Sequence, residues 1–179
     1  MQYTTHYITP VGRILIAEKN HALAGLWIEG QKYFPASFRE ETAEKCDRPI
    51  FKQVKQWLDS YFKGENPPVS ELPIAPAGSD FRRAVWEILC EIPYGKTTTY
   101  GEIAKRLAAR RGLSQMSAQA VGGAVGHNPI SIIIPCHRVI GTNGSLTGYA
   151  GGIEKKAQLL ALEGVDISKF SIPQKGTAL

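Results

Sequence analysis

The sequence is poor in the residues that would make it a disulfide scaffold, a metalloprotein or a membrane protein. It has three cysteines, Cys46, Cys90 and Cys136, far apart and without a CxxC pair. Its four histidines, His6, His21, His127 and His137, do not join them at zinc-site spacing. Scattered, odd-numbered thiols argue against a disulfide framework and a structural metal, and they suit a reducing compartment. No run approaches the roughly 18 apolar residues needed to cross a bilayer. The opening MQYTTHYITP lacks the basic and then apolar order of a signal peptide. The expectation is a cytoplasmic protein with no membrane partner, and no internal repeat is visible.

What is present is an uneven distribution of charge. Residues 1–78 carry nine Lys and Arg against nine Asp and Glu, whereas residues 79–179 carry twelve against seven, so the second half holds all of the net +5. Such asymmetry suggests a polyanion partner for that half, with nucleic acid the first candidate, although a merely soluble basic surface fits equally well.

The first half reads as strands and then one helix. YTTHYI, RILIAE and ALAGLWIE are rich in β-branched and apolar residues, with Gly12 and Asn20 at the turns between them. Phe51, Val54, Trp57, Leu58, Tyr61 and Phe62 recur at helical spacing between Pro49 and Gly64, which suit a helix start and stop. ENPPVSELPIAPAG, with its four prolines, is extended and marks the boundary between a domain at 1–76 and one at 77–179.

The second half reads as mostly helical. Ser79 can cap a helix carrying Phe81, Val85, Ile88 and Leu89, which ends at IPYG. Thr99-Tyr100-Gly101-Glu102 has the form of a capping box opening a helix from Glu102 to Ala109. A further helix spans about Ser117 to His127. The isoleucines before Pro135 read as a short buried strand, GTNGSLTGYAGG as a glycine-rich loop, and IEKKAQLLALEG as a final amphipathic helix. The helices on either side of Arg110-Arg111-Gly112 resemble a helix-turn-helix. The second of them is almost bare: Ala118, Ala120, Gly122, Gly123 and Ala124 leave few long side chains to read bases. A helix so stripped either packs tightly inside the domain or brings its backbone close to a narrow external groove. Each glycine costs it roughly 1 kcal/mol relative to alanine.

The most chemical stretch is Ile134-Pro135-Cys136-His137-Arg138-Val139. Pro135 ends the apolar run, so Cys136 sits where the chain leaves the core. A free thiol is mostly protonated at neutral pH and needs a base or a positive charge to become a nucleophile. His137 is adjacent, but neighbours on an extended segment point to opposite faces, so contact would need a turn or a bridging water. Glu163, at the end of the last helix, is a candidate to orient the imidazole. A buried structural cysteine beside a surface histidine is the plainer alternative.

These residues resemble the active-site motif of the O6-alkylguanine-DNA alkyltransferases, the methylated-DNA–protein-cysteine methyltransferases. Ala120-Val121-Gly122-Gly123-Ala124, Asn128-Pro129, the PCHRV run, Gly148-Tyr149 and Leu159-Leu160-Ala161-Leu162-Glu163-Gly164 follow in the family's order and spacing. The resemblance is specific over about residues 79–165 and weak over the first 75. It implies an α+β chain: an N-terminal α/β, ribonuclease H-like domain with a small antiparallel sheet, and a helical, winged-helix-like C-terminal domain with a helix-turn-helix. It implies binding of double-stranded DNA through the minor groove as a monomer, with no cofactor and no metal. The damaged guanine is flipped out, and its O6-alkyl group passes irreversibly to Cys136 in a single turnover; O4-alkylthymine would be a second substrate.

By the same resemblance His137 takes the thiol proton through a water, Glu163 orients His137, Asn128 supports the segment beside the thiol, and Tyr100 donates to guanine N3. Tyr149, Ala150, Gly151 and the Val139 carbonyl line the base pocket. Ala118, Gln119, Ala120, Gly122, Gly123 and Arg138 contact DNA. One departure stands out. The family usually inserts an arginine into the gap left by the flipped base, and Gln119 occupies that position, without the charge or the planar guanidinium. Weaker DNA affinity or slower repair than with arginine is expected. Alternatives are a lesion-flagging relative that lacks the cysteine, a helix-turn-helix regulator with a sensor cysteine, and a papain-like thiol hydrolase. The presence of Cys136 disfavours the first, the small strand-rich first half the second, and the Cys-His adjacency the third.

Overall fold

A computed structural model describes residues 2–34, 43–44 and 48–172; Cys46 lies outside them. The chain is α+β and divides into two compact units, one running to Ala77 and joined by Pro129–Ser131, the other formed by Gly78–Asn128 and the chain from Ile132 on. Residues 129–131 thus belong to the first unit, which a single division near residue 77 does not anticipate.

In the first unit β1 (Gln2–Thr9), β2 (Gly12–Lys19) and β3 (Ala22–Ile28) form an antiparallel meander, and β4 (Ala43–Glu44) pairs parallel to β1. The sheet order is β3-β2-β1-β4, so the sheet is mixed rather than purely antiparallel. Asn20 and His21 both have positive φ, which gives the β2–β3 hairpin the twist that its strands require. The helix α1 (Pro49–Phe62) starts at its proline and buries Ile50, Phe51, Val54, Trp57, Leu58 and Tyr61 along one stripe. Pro129–Ser131 runs beside β3: Leu26 donates its N–H to the Pro129 carbonyl, and Ser131 donates to Leu26, both at 2.8 Å.

Among the described residues of this unit, one carboxylate is buried. Glu18 follows the irregularity in β2 and is 1% exposed, and its carboxylate is gripped by Arg48, which immediately precedes α1. The guanidinium also lies 4.0 Å from the Tyr3 ring centroid. The hydrogen bond from Arg48 holds the Glu18 carboxyl below its ordinary value.

In the second unit α2 (Asp80–Cys90), α3 (Tyr100–Arg110) and α4 (Ala118–Gly126) pack on one another. Their N-caps are Ser79, Thr99 and Ser117, each accepting a backbone N–H three residues on. Thr99 makes only half of a capping box, because the Glu102 carboxylate pairs with Lys105 instead. The helix α3 begins at Tyr100, directly after its cap and two residues before the expected Glu102. Buried Trp86 donates from Nε1 to the Ala124 carbonyl at 2.9 Å, tying α2 to α4. A second cluster of Ile140, Leu146 and Leu160 anchors α5 (Ile153–Leu162).

The isoleucine run is not a strand. Residues 131–134 turn, Ile132 has φ +70°, and Cys136–Arg138 form one turn of 3-10 helix. All three isoleucines are about 1% exposed, so the apolar run records burial rather than ladder pairing. The strand β6 (Val139–Ile140) comes only afterwards and pairs parallel with β5 (Thr98–Thr99).

The buried pair in the first unit gives a direct test. Arg48→Met removes the main partner of the buried Glu18 carboxylate, leaving it only His21, and is expected to lower stability by about 3 kcal/mol at neutral pH. Because the Glu18 carboxyl is depressed when folded, the pair's contribution is present above about pH 4.5 and fades as acid protonates it, so wild type and variant converge there. Urea unfolding at pH 7 and pH 4 checks both statements.

Candidate active site

Cys136 opens the 3-10 turn and is 5% exposed. Burial pushes its thiol up, so the resting sulfur is protonated; the Asn128 amide, the Lys156 ammonium and the N–H groups of Cys136 and His137 oppose that shift. Asn128 Nδ2 lies 3.1 Å from Sγ and also donates to the Ile134 carbonyl at 2.8 Å. This buried amide, just beyond α4, therefore spans the turn that carries the thiol. Cys136 and His137 lie on a 3-10 turn, not on an extended segment, so the opposite-face rule for strands does not apply to them.

His137 is fully buried, and its Nε2 is 2.7 Å from Glu163 Oε1. Burial disfavours charge on Glu163, but hydrogen bonds from His137 and Arg138 outweigh it and hold the carboxyl at about 2. Burial pushes the His137 ring down, against the pull of Glu163. The pair is therefore a carboxylate and a neutral imidazole, with Nε2 carrying the hydrogen and Nδ1 the lone pair. The structure pairs His137 with Glu163 and sets Asn128 beside the Cys136 thiol.

Arg138 is placed differently from the expectation. It is 9% exposed, and its guanidinium donates to Glu163 through Nε at 2.8 Å and Nη2 at 3.0 Å, and to the Ile92 carbonyl through Nη1 at 2.6 Å. A guanidinium so engaged is a buried partner of the carboxylate, not a surface contact for DNA. The Gly95 N–H also donates to Glu163 Oε2 at 3.2 Å.

Lys156 was not singled out from sequence. It is fully buried on α5 and donates to the carbonyls of Val139 at 2.5 Å and Thr147 at 2.7 Å. Burial lowers its ammonium to about 8, while a negative Cys136 would favour the charge. The signal was available: Lys156 falls in the i, i+3, i+4 stripe with Leu159 and Leu160, where an apolar residue belongs. The Val139 carbonyl, expected to face a ligand, already accepts from this lysine.

The loop 141–152 supplies the rest. Tyr149 is buried, its ring meets the His137 ring edge-on at 6.4 Å, and its hydroxyl has no partner among the described residues. Such a group costs about 1–3 kcal/mol unless something arrives to bond it. Ala150 and Gly151 follow, half-buried, in the turn before α5. Tyr100, at the start of α3, donates its hydroxyl to the Thr147 carbonyl at 3.1 Å. Gly148 has φ +79°, and a Cβ there would fall 2.4 Å from that hydroxyl, so the approach requires glycine. Burial pushes the Tyr100 hydroxyl up, which keeps it a donor.

On α4, Ala118, Gln119, Ala120 and Gly123 are exposed and Gly122 is half-buried. A Cβ on Gly122 would sit at ordinary contact distance, 3.7 Å from the Tyr100 ring, and one on Gly123 would meet nothing within 4 Å. Internal packing does not account for Gly123. Among the described residues no group of three or more His, Cys, Asp and Glu could hold a metal ion, and no helix is long and apolar enough to cross a membrane.

Comparison with known proteins covers both units. The family described as 6-O-methylguanine DNA methyltransferase matches twice, its ribonuclease-like domain over residues 2–76 and its DNA binding domain over residues 80–165. The methylated-DNA–protein-cysteine methyltransferase of Haemophilus influenzae is 41% identical over 98% of this chain and 90% of its own length. The inducible one of Bacillus subtilis is 40% identical over 90% and 84%. Among solved structures, Mycobacterium tuberculosis OGT in complex with DNA is 38% identical with a TM-score of 0.76, over 94% of both chains.

The His137–Glu163 pair should leave its mark on acid stability. The folded ring resists a proton that the unfolded chain accepts, so stability falls as the pH drops through about 6.5. The depressed Glu163 carboxyl adds a second loss between about pH 4.5 and 2. Denaturation midpoints at pH 7.5, 6 and 5 should decline in wild type, and the first decline should flatten in His137→Gln.

Proposed function

The chain belongs to the 6-O-methylguanine DNA methyltransferase family, and from that premise we propose that Cys136 is the acceptor in its repair of alkylated DNA. Its activity is transfer of the alkyl group from methylated DNA to a protein cysteine. The observation that carries the assignment is the buried thiol held by Asn128, beside a neutral imidazole fixed by a carboxylate.

The reaction follows from that arrangement. The Cys136 proton passes, through a water, to Nδ1 of His137, while Nε2 stays bonded to Glu163. The thiolate, favoured by Lys156 and the two backbone N–H groups, attacks the alkyl carbon in line. The Sγ–C bond forms as the C–O6 bond breaks, and the electron pair returns to the guanine ring. The Tyr100 hydroxyl exchanges its loop carbonyl for guanine N3 and relieves the developing charge; the proton taken from the thiol ends on the purine. The unpartnered Tyr149 hydroxyl, with Ala150, Gly151 and the Val139 carbonyl, forms the wall against the flipped base. A thioether does not hydrolyse, so each molecule acts once. O6-alkylguanine is the main substrate and O4-alkylthymine a second.

DNA engagement falls to α3 and α4 as a helix-turn-helix in the minor groove. Ala118, Ala120, Gly122 and Gly123 let the backbone of α4 approach, and Gln119 enters the gap left by the base. Residues 77–179 carry both DNA binding and transfer, and residues 1–76 form the accompanying domain. The protein is a cytoplasmic monomer that works on double-stranded DNA without a cofactor.

Two measurements test this reading. Cys136→Ala should bind a duplex containing O6-methylguanine yet leave the lesion intact when the DNA is digested to nucleosides; loss of the methyl group with this variant would contradict the assignment. Gly123→Ala should raise stability by about 0.5–1 kcal/mol, since the new methyl has room, and weaken duplex binding several-fold. Unchanged binding would remove α4 from the interface.

A further inference from the structure

We propose that Arg138 is a positioning residue that sets the proton affinity of His137 by sharing its carboxylate partner, Glu163. The inference rests on the reading of Cys136, His137 and Glu163 as the alkyl-transfer site. It assigns a task to the fourth residue of the PCHR run, which is too enclosed to reach DNA.

The geometry is one of competition. Glu163 Oε1 accepts from His137 Nε2 at 2.7 Å and from Arg138 Nη2 at 3.0 Å. Oε2 accepts from Arg138 Nε at 2.8 Å and from the Gly95 N–H at 3.2 Å. The guanidinium thus lies fork to fork with the carboxylate, the strongest form of this pair. It is fixed from behind by the Ile92 carbonyl at 2.6 Å and faces the Tyr94 ring at 5.7 Å.

A carboxylate facing only an imidazole would draw a proton onto the ring, and an imidazolium cannot accept the proton of a thiol. With Arg138 in place the ring sees a largely compensated charge. The other groups around it act in the same direction or are neutral. Lys156 of α5 is a second cation that opposes charge on the ring. Cys136 is a protonated thiol, and Tyr149 from the loop presents a ring edge. Cys90 of α2 and Tyr94 near Arg138 keep their protons. His137 therefore rests neutral, with Nε2–H aimed at Glu163. The carboxylate orients the base, and the arginine prevents it from being consumed by solvent protons.

The test is the pH dependence of single-turnover alkyl transfer by the full chain, from a duplex holding one O6-methylguanine, for wild type, Arg138→Lys and Arg138→Met. The wild-type rate should fall only below about pH 6.5, the ordinary value for histidine. In Arg138→Met the acid limb should move to higher pH, so that the rate at pH 6, relative to its own plateau, drops several-fold further. Arg138→Lys, which keeps the charge without the fork, should move it less. An equal loss at every pH would mean that Arg138 is merely structural and would overturn the proposal. Nitrogen-15 spectra of His137 in the wild type need no variant: a neutral ring protonated at Nε2 is expected at pH 7, and a doubly protonated ring would refute the idea. Absence of transfer at any pH would instead count against the alkyl-transfer reading, while the His137 titration would still report on Arg138.

Discussion

The Glu163 carboxylate is the point on which the second unit's chemistry depends. It stands at the C-cap of α5 and accepts from His137, Arg138 and the Gly95 N–H, so one anion ties the end of that helix to the 3-10 turn and to the turn after α2. Gly95 takes φ +70°, and a side chain there would fall 2.8 Å from the Glu163 carbonyl. Buried charge is costly unless matched by donors of good geometry. Here the donors include the two residues that follow Cys136. The requirement that the carboxylate be satisfied is thus the same requirement that orders the 3-10 turn carrying Cys136.

Another buried charge, Lys156, also acts on the thiol. Lys156 joins the carbonyls of Val139 and Thr147, and Thr147 also accepts from Tyr100. The 141–152 loop is therefore tied to an ammonium that favours a thiolate at Cys136. Charge on the sulfur and placement of the loop meet in one short network. The surface is handled otherwise: part of the basic excess is neutralised internally, since the Glu91 carboxylate accepts from both Arg106 and Arg110. The exposed face of α4 carries no charge at all.

Much of this was legible in the sequence where local rules govern. Ser79, Thr99 and Ser117 cap helices because a small hydroxyl answers an orphan N–H within three residues, whatever the tertiary setting. The α1 stripe follows its helical period, and the β1–β3 meander follows from its β-branched and apolar runs with turn residues between them. The isoleucine run misled because isoleucine signals burial and strand alike, and a turn walled in on all sides leaves no period to read. Arg138 and Lys156 were hidden for the converse reason. A cation is expected at the surface, and only its partners, distant in sequence, make burial tolerable. The pairing of His137 with Glu163 could be expected because a base needs an orienting carboxylate, but the 3-10 turn that carries Cys136 and His137 is not announced by the residue types.

The measurement that tests the account most directly is the mass of the intact protein after incubation with a duplex containing one O6-methylguanine, followed by peptide mapping. The account predicts a gain of one methylene on the peptide holding Cys136, and no further gain under excess substrate. An unchanged mass with the lesion duplex still bound would contradict it, as would a methyl group on any other residue.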